Sequence, residues 1–293
     1  MLSYFRNSRY LFFGSSEFSA IVLRKLVEAG FSPLALVSNP DRPVGRKQVI
    51  TPPLAKKLVL EENWPIKILQ PQKLDDKFIQ ELKKLEVDFY LVAAYSRFLP
   101  AELLKIPVLG TLGVHPALLP KFRGSTPIQS AILSGESETG VTLYLMDERI
   151  DAGPIIKQKA LSIKHQGTEE LTIELAEMAG DLLIQTLPDF LEGKINPLPQ
   201  DESQASYTKK FRTEDGYINF LELAEAESVS GEKAREIWRK IRAFNPEPGV
   251  WTMKAEKRVK LLEARLTDEG KLKMMKIQIE GKKPIYYEST KAR

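Results

Sequence analysis

Apolar positions cluster in short runs separated by helical periodicity through the first two-thirds of the chain. Tyr10–Phe13 is a continuous apolar run, the pattern of a strand buried on both faces. GSSEF then opens a helix in which Phe18, Ile21, Val22, Leu26 and Val27 recur at helical spacing as far as Gly30. Further buried strands are predicted at Leu34–Val37, Ile66–Leu69, Phe89–Ala94 and Val108–Val114, with a helix from Asp75 to Leu85. Thr126-Pro127 places a cap and a first-turn proline ahead of Ile128–Leu133. Val141–Met146 and Pro154–Leu161 form a strand pair, and Thr168 caps a helix carrying Leu171, Leu175, Met178 and Leu182. Strands alternating with helices predict a mostly parallel sheet covered on both faces.

The pattern breaks at Pro188, where Pro188, Pro197 and Pro199 stand among polar residues, as in an inter-domain linker. Three regions follow: a domain over residues 1–188, a linker over 189–205 and a smaller domain over 206–293. In the last, Ile218–Phe220 begins a strand and Gly231–Ala243 is a helix with Ala234, Ile237, Trp238 and Ile241 on one face. Trp251–Met253, Val259–Leu262, Leu272–Ile279 and Pro284–Tyr287 are short strands, consistent with a small barrel and one helix.

Composition adds exclusions. There is no cysteine, which removes disulfides and thiolate metal sites. No apolar run reaches the roughly 18 residues that span a bilayer. The opening MLSYFRNSRYLFFGSS is basic then apolar, but the apolar part is short and runs into a helix start, so it reads as a first strand. A cytoplasmic location is the default. Neither Walker-type nor zinc-type spacing occurs, and no metal is expected. Net charge is +4, unevenly placed. From Ser206 onward 20 Lys and Arg stand against 14 Asp and Glu; before it the numbers are 23 and 25. A basic C-terminal part suits a polyanion such as nucleic acid, and equally a solvated Lys-rich domain.

Three stretches carry candidate chemistry. GTLGVHPALLPKFRG, residues 110–124, starts as a buried strand and ends in a Pro- and Gly-punctuated loop, with His115, one of two histidines, at the junction. The carboxyl end of such a strand is where an open α/β sheet places its chemistry. MDERIDAG supplies Asp147 and Asp151, two carboxylates able to reach that edge and fix an imidazole tautomer for proton transfer. From spacing alone His115 reads equally as a structural histidine. His165, before a helix cap, reads as a surface loop residue. Finally, SNPDRPVGRKQVITPP, residues 38–53, sets Arg42, Arg46 and Lys47 in a long loop suited to phosphate or RNA contact, the alternative being a solvated loop. The lone glycine of GSSEF is too little for a nucleotide motif.

NPDRPVGR, HPALLPKFRGSTPIQ, ETGVTLYLMDERIDAG and IRAFNPEPG, in that order, resemble the methionyl-tRNA formyltransferase family, from Tyr10 to about Tyr287. The H-x-x-L-L-P-x-x-R-G core is shared by the wider formyltetrahydrofolate-using formyltransferases. The resemblance implies a Rossmann-like N-terminal domain binding 10-formyltetrahydrofolate and an OB-like β-barrel C-terminal domain that helps hold initiator methionyl-tRNA, in a monomer. The methionyl amine would attack the formyl carbon through a tetrahedral intermediate. By motif match His115 and Asp151 take the catalytic positions, and Arg42 the loop arginine of tRNA discrimination, with Arg46 and Lys47 beside it. Tyr95, Ser96, Phe98 and Leu99, with Leu118, Leu119 and Pro120 of the motif, fall on the folate pocket; Lys210 falls on a basic tRNA position.

The chain departs from the family at Gly113, where an asparagine is expected to donate to the formyl oxygen, and at Ala117, which replaces a serine. Loss of one oxyanion donor costs about 10²–10³ in turnover. A water is expected to fill the space beside Gly113 and return part of that. The segment between Leu266 and Leu272 is also short for the family. The alternatives to an active tRNA formyltransferase are an impaired RNA- or folate-binding homologue, a formyltransferase acting on a small amine such as an amino sugar, and a formyltetrahydrofolate hydrolase.

Overall fold

The computed structural model describes residues 8–45 and 47–286, so Arg46 and Tyr287 lie outside the described residues. The chain forms two compact units. One takes in the chain up to Ser125 with Thr139–Leu161 and Thr172–Tyr207; the other has Thr126–Glu138, Ser162–Leu171 and the chain from Thr208. Two short segments of the N-terminal two-thirds therefore belong to the C-terminal unit.

The first unit is built on a seven-stranded sheet: β1 (Tyr10–Phe13), β2 (Ala35–Val37), β5 (Lys67–Leu69), β6 (Phe89–Ala93), β7 (Thr111–His115), β8 (Glu138–Leu145) and β9 (Ile155–Ser162). Its order is β5-β2-β1-β6-β7-β8-β9. The pairs from β5 to β7 are parallel and β8 runs antiparallel to β7, with Gly113 opposite Tyr144 and His115 opposite Thr142. Every residue of β1, β6 and β7 is buried, as the uninterrupted apolar runs require of strands covered on both faces. Because β1 pairs with β2 on one side and β6 on the other, the winding direction reverses there, and the carboxyl ends of β1, β6 and β7 lie along the edge where α/β sheets bind ligands.

Helix α1 (Glu17–Glu28) follows β1 and is started by Ser16, which shares a capping box with Ser19. Strand β7 begins later than its apolar run: Val108 is 92% exposed and Gly110, at φ 83°, redirects the chain before Thr111. Three short elements are absent from the hydrophobic pattern: the hairpin β3 (Arg42–Val44) and β4 (Val49–Thr51), helix α2 (Leu54–Glu61) and helix α4 (Ala101–Leu104). Helix α3 (Asp76–Lys83) is capped by Asp75, which accepts from Phe78 N. Helix α6 (Thr168–Leu191) runs past the expected break at Pro188. Buried packing of Leu187 and Phe190, the latter edge-on to Phe89 at 5.8 Å, outweighs the hydrogen bond a proline forfeits.

The second unit holds a four-stranded antiparallel sheet, β10 (Trp251–Lys254), β11 (Lys257–Leu266), β12 (Leu272–Ile279) and β13 (Ile285–Tyr286), in that order. A tight turn joins β11 to β12, closed by Thr267 N on the Lys271 carbonyl at 2.8 Å. Two helices accompany the sheet, α7 (Phe220–Ser228) and α8 (Glu232–Phe244), and α5 (Pro127–Ser134) packs on α8. A helix thus replaces the strand expected from Ile218. Asn219 caps it by accepting from Leu221 N at 2.8 Å, and Leu223 and Ala226 bury its inner face; Tyr217 makes only a single bridge, to Trp251. The small β domain is the expected one, with two helices in place of one.

Candidate active site

His115 is the last residue of β7 and is 5% exposed. Alternation along the strand sets Gly113 and His115 on one sheet face, and the register with β8 puts Tyr144 and Thr142 on the same face. The imidazole Nε2 lies 2.9 Å from the Phe122 carbonyl, which can only accept, so Nε2 carries the proton. That leaves Nδ1 as the basic nitrogen of the neutral ring. It faces Asp151 Oδ2 at 3.6 Å, beyond hydrogen-bond reach but close enough for an ion pair once Nδ1 is protonated.

Asp151 is held from two sides. Its Oδ2 accepts from Gly124 N at 2.7 Å, and its Oδ1 accepts from the Tyr144 hydroxyl at 2.7 Å. Its backbone sits at φ 49°, a left-handed conformation uncommon outside glycine and tolerated best by Asp and Asn. The turn before it needs the glycine two residues on: a Cβ at Gly153 would lie 1.7 Å from the Leu145 carbonyl oxygen. Burial, and then the neighbouring Asp151 charge, push the Tyr144 phenol well above its ordinary value, so the hydroxyl stays protonated and donates.

The loop between His115 and Gly124 is fastened by residues that sequence reasoning left without a role. Thr142 donates to the Ala117 carbonyl at 2.6 Å and accepts from Leu119 N at 3.1 Å, while Gln158 donates to the Leu119 carbonyl at 2.8 Å. Arg123 is fully buried. Its guanidinium donates to Glu202 Oε2 at 2.8 Å, to Gln200 Oε1 at 2.8 Å and to the Tyr207 hydroxyl at 3.0 Å. Gln200 in turn donates to the backbone carbonyls of Asp151 at 2.9 Å and Gly153 at 2.7 Å. The only sequence signal for Arg123 was its place in the motif; Tyr144 and Gln200 gave none.

The remaining candidates divide. Asp147 turns away from the imidazole and pairs with Arg149 at 2.9 Å, so Asp151 alone of the two carboxylates meets His115. The space beside Gly113 is not left for water: a Cβ there would lie 2.5 Å from Tyr144 Cε1 and 2.9 Å from its hydroxyl, because the Tyr144 ring already fills it. Tyr95 and Leu99 are buried in the cluster with Leu11, Phe13 and Val37. Ser96 is exposed and accepts from Asn39 Nδ2 at 3.0 Å, Phe98 is 68% exposed, and Leu118 and Pro120 flank buried Leu119. Arg42 and Lys47 are exposed on the β3–β4 hairpin; Lys210 is exposed in the second unit. His165 is exposed near Trp238, ring centroids 5.7 Å apart. Among the described residues no cluster of His, Asp and Glu could hold a metal, and no helix is long and apolar enough to cross a membrane.

Residues 8–187 match the formyl transferase family model, and residues 231–275 match the model of the formyl transferase C-terminal domain. The chain is 37% identical over 267 residues to methionyl-tRNA formyltransferase of Staphylococcus aureus strain MW2, covering 90% of this chain and 82% of the relative. Its fold is similar to the N-formyltransferase from Helicobacter canadensis, described in complex with folinic acid and dTDP-3-aminofucose (TM-score 0.62, 21% identity, 89% of each chain). It is also similar to methionyl-tRNA formyltransferase from Clostridium thermocellum (TM-score 0.57, 16% identity, 93% and 98% covered). The pair of buried His115 and half-buried Asp151 thus sits in a chain that belongs to the formyl transferase family, on the methionyl-tRNA formyltransferase side of it.

Proposed function

We propose that this enzyme transfers the formyl group of 10-formyltetrahydrofolate to the amino group of initiator methionyl-tRNA, for translation initiation in the cytoplasm, and that it acts as a monomer. The observation that carries this reading is the His115–Asp151 pair at the carboxyl end of β7, within a chain 37% identical to a methionyl-tRNA formyltransferase.

The residues act as follows. Attack of the methionyl nitrogen forms a bond to the formyl carbon and leaves a proton to be removed. His115 Nδ1 accepts it, since Nε2 is committed to the Phe122 carbonyl. The Asp151 carboxylate, 3.6 Å from Nδ1, stabilises the imidazolium that results. Breaking the bond to the folate nitrogen returns the proton to the leaving group. Tyr95, Ser96, Phe98, Leu99, Leu118, Leu119 and Pro120 are assigned to the folate pocket, and Arg42, Arg46, Lys47 and Lys210 to tRNA phosphates.

The test is transfer from 10-formyltetrahydrofolate to charged initiator tRNA, run beside free methionine and a nucleotide-linked amino sugar. Formylmethionyl-tRNA as the dominant product, with a rate that falls steeply with salt, is expected. Transfer to the small amines in preference to tRNA overturns the reading. A second reading, a homologue that binds but barely transfers, is favoured by Gly113, which has no side-chain donor. Binding of both substrates at saturation without product would establish it.

A further inference from the structure

The Gly113–Tyr144 pair is an unusual feature of this site. The two residues are directly opposed across β7 and β8, so their side chains share one face. At such a pair a Cβ at position 113 would overlap the phenol ring, lying 2.5 Å from Cε1 and 2.6 Å from Cζ. Tyr144 is 3% exposed, and its hydroxyl donates to Asp151 Oδ1 at 2.7 Å. With Gly124 N on the other oxygen, the carboxylate plane is fixed by two donors on separate atoms. Neither donor comes from a charged group, so the charge of Asp151 remains available to His115.

We propose that Tyr144 is a positioning residue of the transfer site: its hydroxyl holds the Asp151 carboxylate turned toward His115, and Gly113 is the position without a side chain that lets the ring reach there. The pair works as a unit. A side chain at 113 displaces the ring and loosens Asp151, so a residue that touches neither His115 nor Asp151 acts on both. The inference rests on the reading of His115 and Asp151 as the proton-handling pair. Asp147 also raises the Tyr144 phenol, and it is itself paired with Arg149. Substitutions at positions 113 and 144 leave Asp147 and Arg149 in place.

The experiment compares wild type with Tyr144→Phe, which keeps the ring and removes the hydroxyl. A hydrogen bond to a charged group is worth about tenfold or more, so kcat is expected to fall by about tenfold to a hundredfold while KM for both substrates changes less than about threefold. Loss of the donor on Oδ1 leaves the carboxylate held by Gly124 N alone, so a crystal structure of Tyr144→Phe is expected to show Asp151 rotated away from His115 Nδ1. That structure needs no substrate. If wild type forms no formylmethionyl-tRNA, the proposed function fails while the structure of the variant still decides the role of Tyr144. An Asp151 carboxylate unmoved in Tyr144→Phe overturns the inference, whatever happens to the rate. A cycle adds the second half: Gly113→Ala is expected to slow transfer about as much as Tyr144→Phe, and Gly113→Ala with Tyr144→Leu to be no slower than Tyr144→Leu alone. Independent, additive losses in a folded double variant overturn the claim that Gly113 works through Tyr144.

Discussion

The His115 end of β7 and the β3–β4 hairpin both carry residues assigned to this enzyme's work, and they are built in opposite ways. At His115 the imidazole Nε2 and both Asp151 carboxylate oxygens have fixed partners, and the imidazole is buried. On the hairpin Arg42 and Lys47 are exposed, and so are Val44, Val49 and Ile50, all above half exposure. Proton transfer demands reacting groups held to within a fraction of an ångström, whereas a phosphate surface is met by cations that settle after contact. The first region spends its sequence on holding a geometry, and the second on reaching outward.

The contrast makes predictions that separate rate, stability and binding. The largest effect is expected from His115→Ala: a fall in turnover of about 10²–10⁴ with both substrates still bound, read by single-turnover formylation and equilibrium binding. Arg123→Ala comes next. It deletes a buried guanidinium and strands Gln200 and Glu202, so unfolding by urea is expected about 3 kcal/mol earlier, the lower end for a broken buried pair because Glu202 is 55% exposed. Full stability in Arg123→Ala would mean that the loop after β7 is held by something else. Arg42→Ala should do the reverse, weakening kcat/KM for tRNA about tenfold and flattening its salt dependence by about one phosphate, with stability within 0.5 kcal/mol of wild type. A large stability loss there would erase the distinction between the two regions.

The smallest expected effect is one of pH. The Arg123 guanidinium holds the Glu202 carboxyl below its ordinary 4.5, with Arg149 adding to this. A carboxylate whose pKa is lower folded than unfolded adds stability that is complete above about pH 4.5 and lost as pH falls through the folded value. Thermal melts of wild type and Glu202→Gln should therefore differ near neutrality and converge on acidification. The difference is small because the carboxylate faces solvent.

The same contrast explains which parts were legible in the sequence. Strands β1, β6 and β7 are continuous apolar runs buried on both faces, and burial of that kind writes itself into composition. His115 stood out because it ends such a run, and Asp151 because its neighbours matched a motif. Strands β3 and β4 are exposed at every residue but Thr51, so no core stripe marks them, and α2 begins without a side-chain cap. Tyr144 was invisible as a site residue for a different reason. Its role depends on lying opposite Gly113, and register between β7 and β8 is set by the whole sheet rather than by either segment. The same register is why the expectation of water beside Gly113 failed: the missing volume on one strand is returned by a large ring on the next.

Arg123 has a further consequence, for the order in which the molecule is made. Its partners Gln200, Glu202 and Tyr207 follow it by 77 to 84 residues, and Gln200 follows Asp151 by 49. During synthesis at about 5–20 residues per second, the loop bearing His115 leaves the ribosome several seconds before the segment that fastens it exists. Closing so long a loop is entropically slow but costs little more than closing a shorter one. The proposed catalytic pair is thus assembled late, by a segment well downstream of both its members, and a chain ended before Gln200 would carry His115, Tyr144 and Asp151 without the clasp that fastens them.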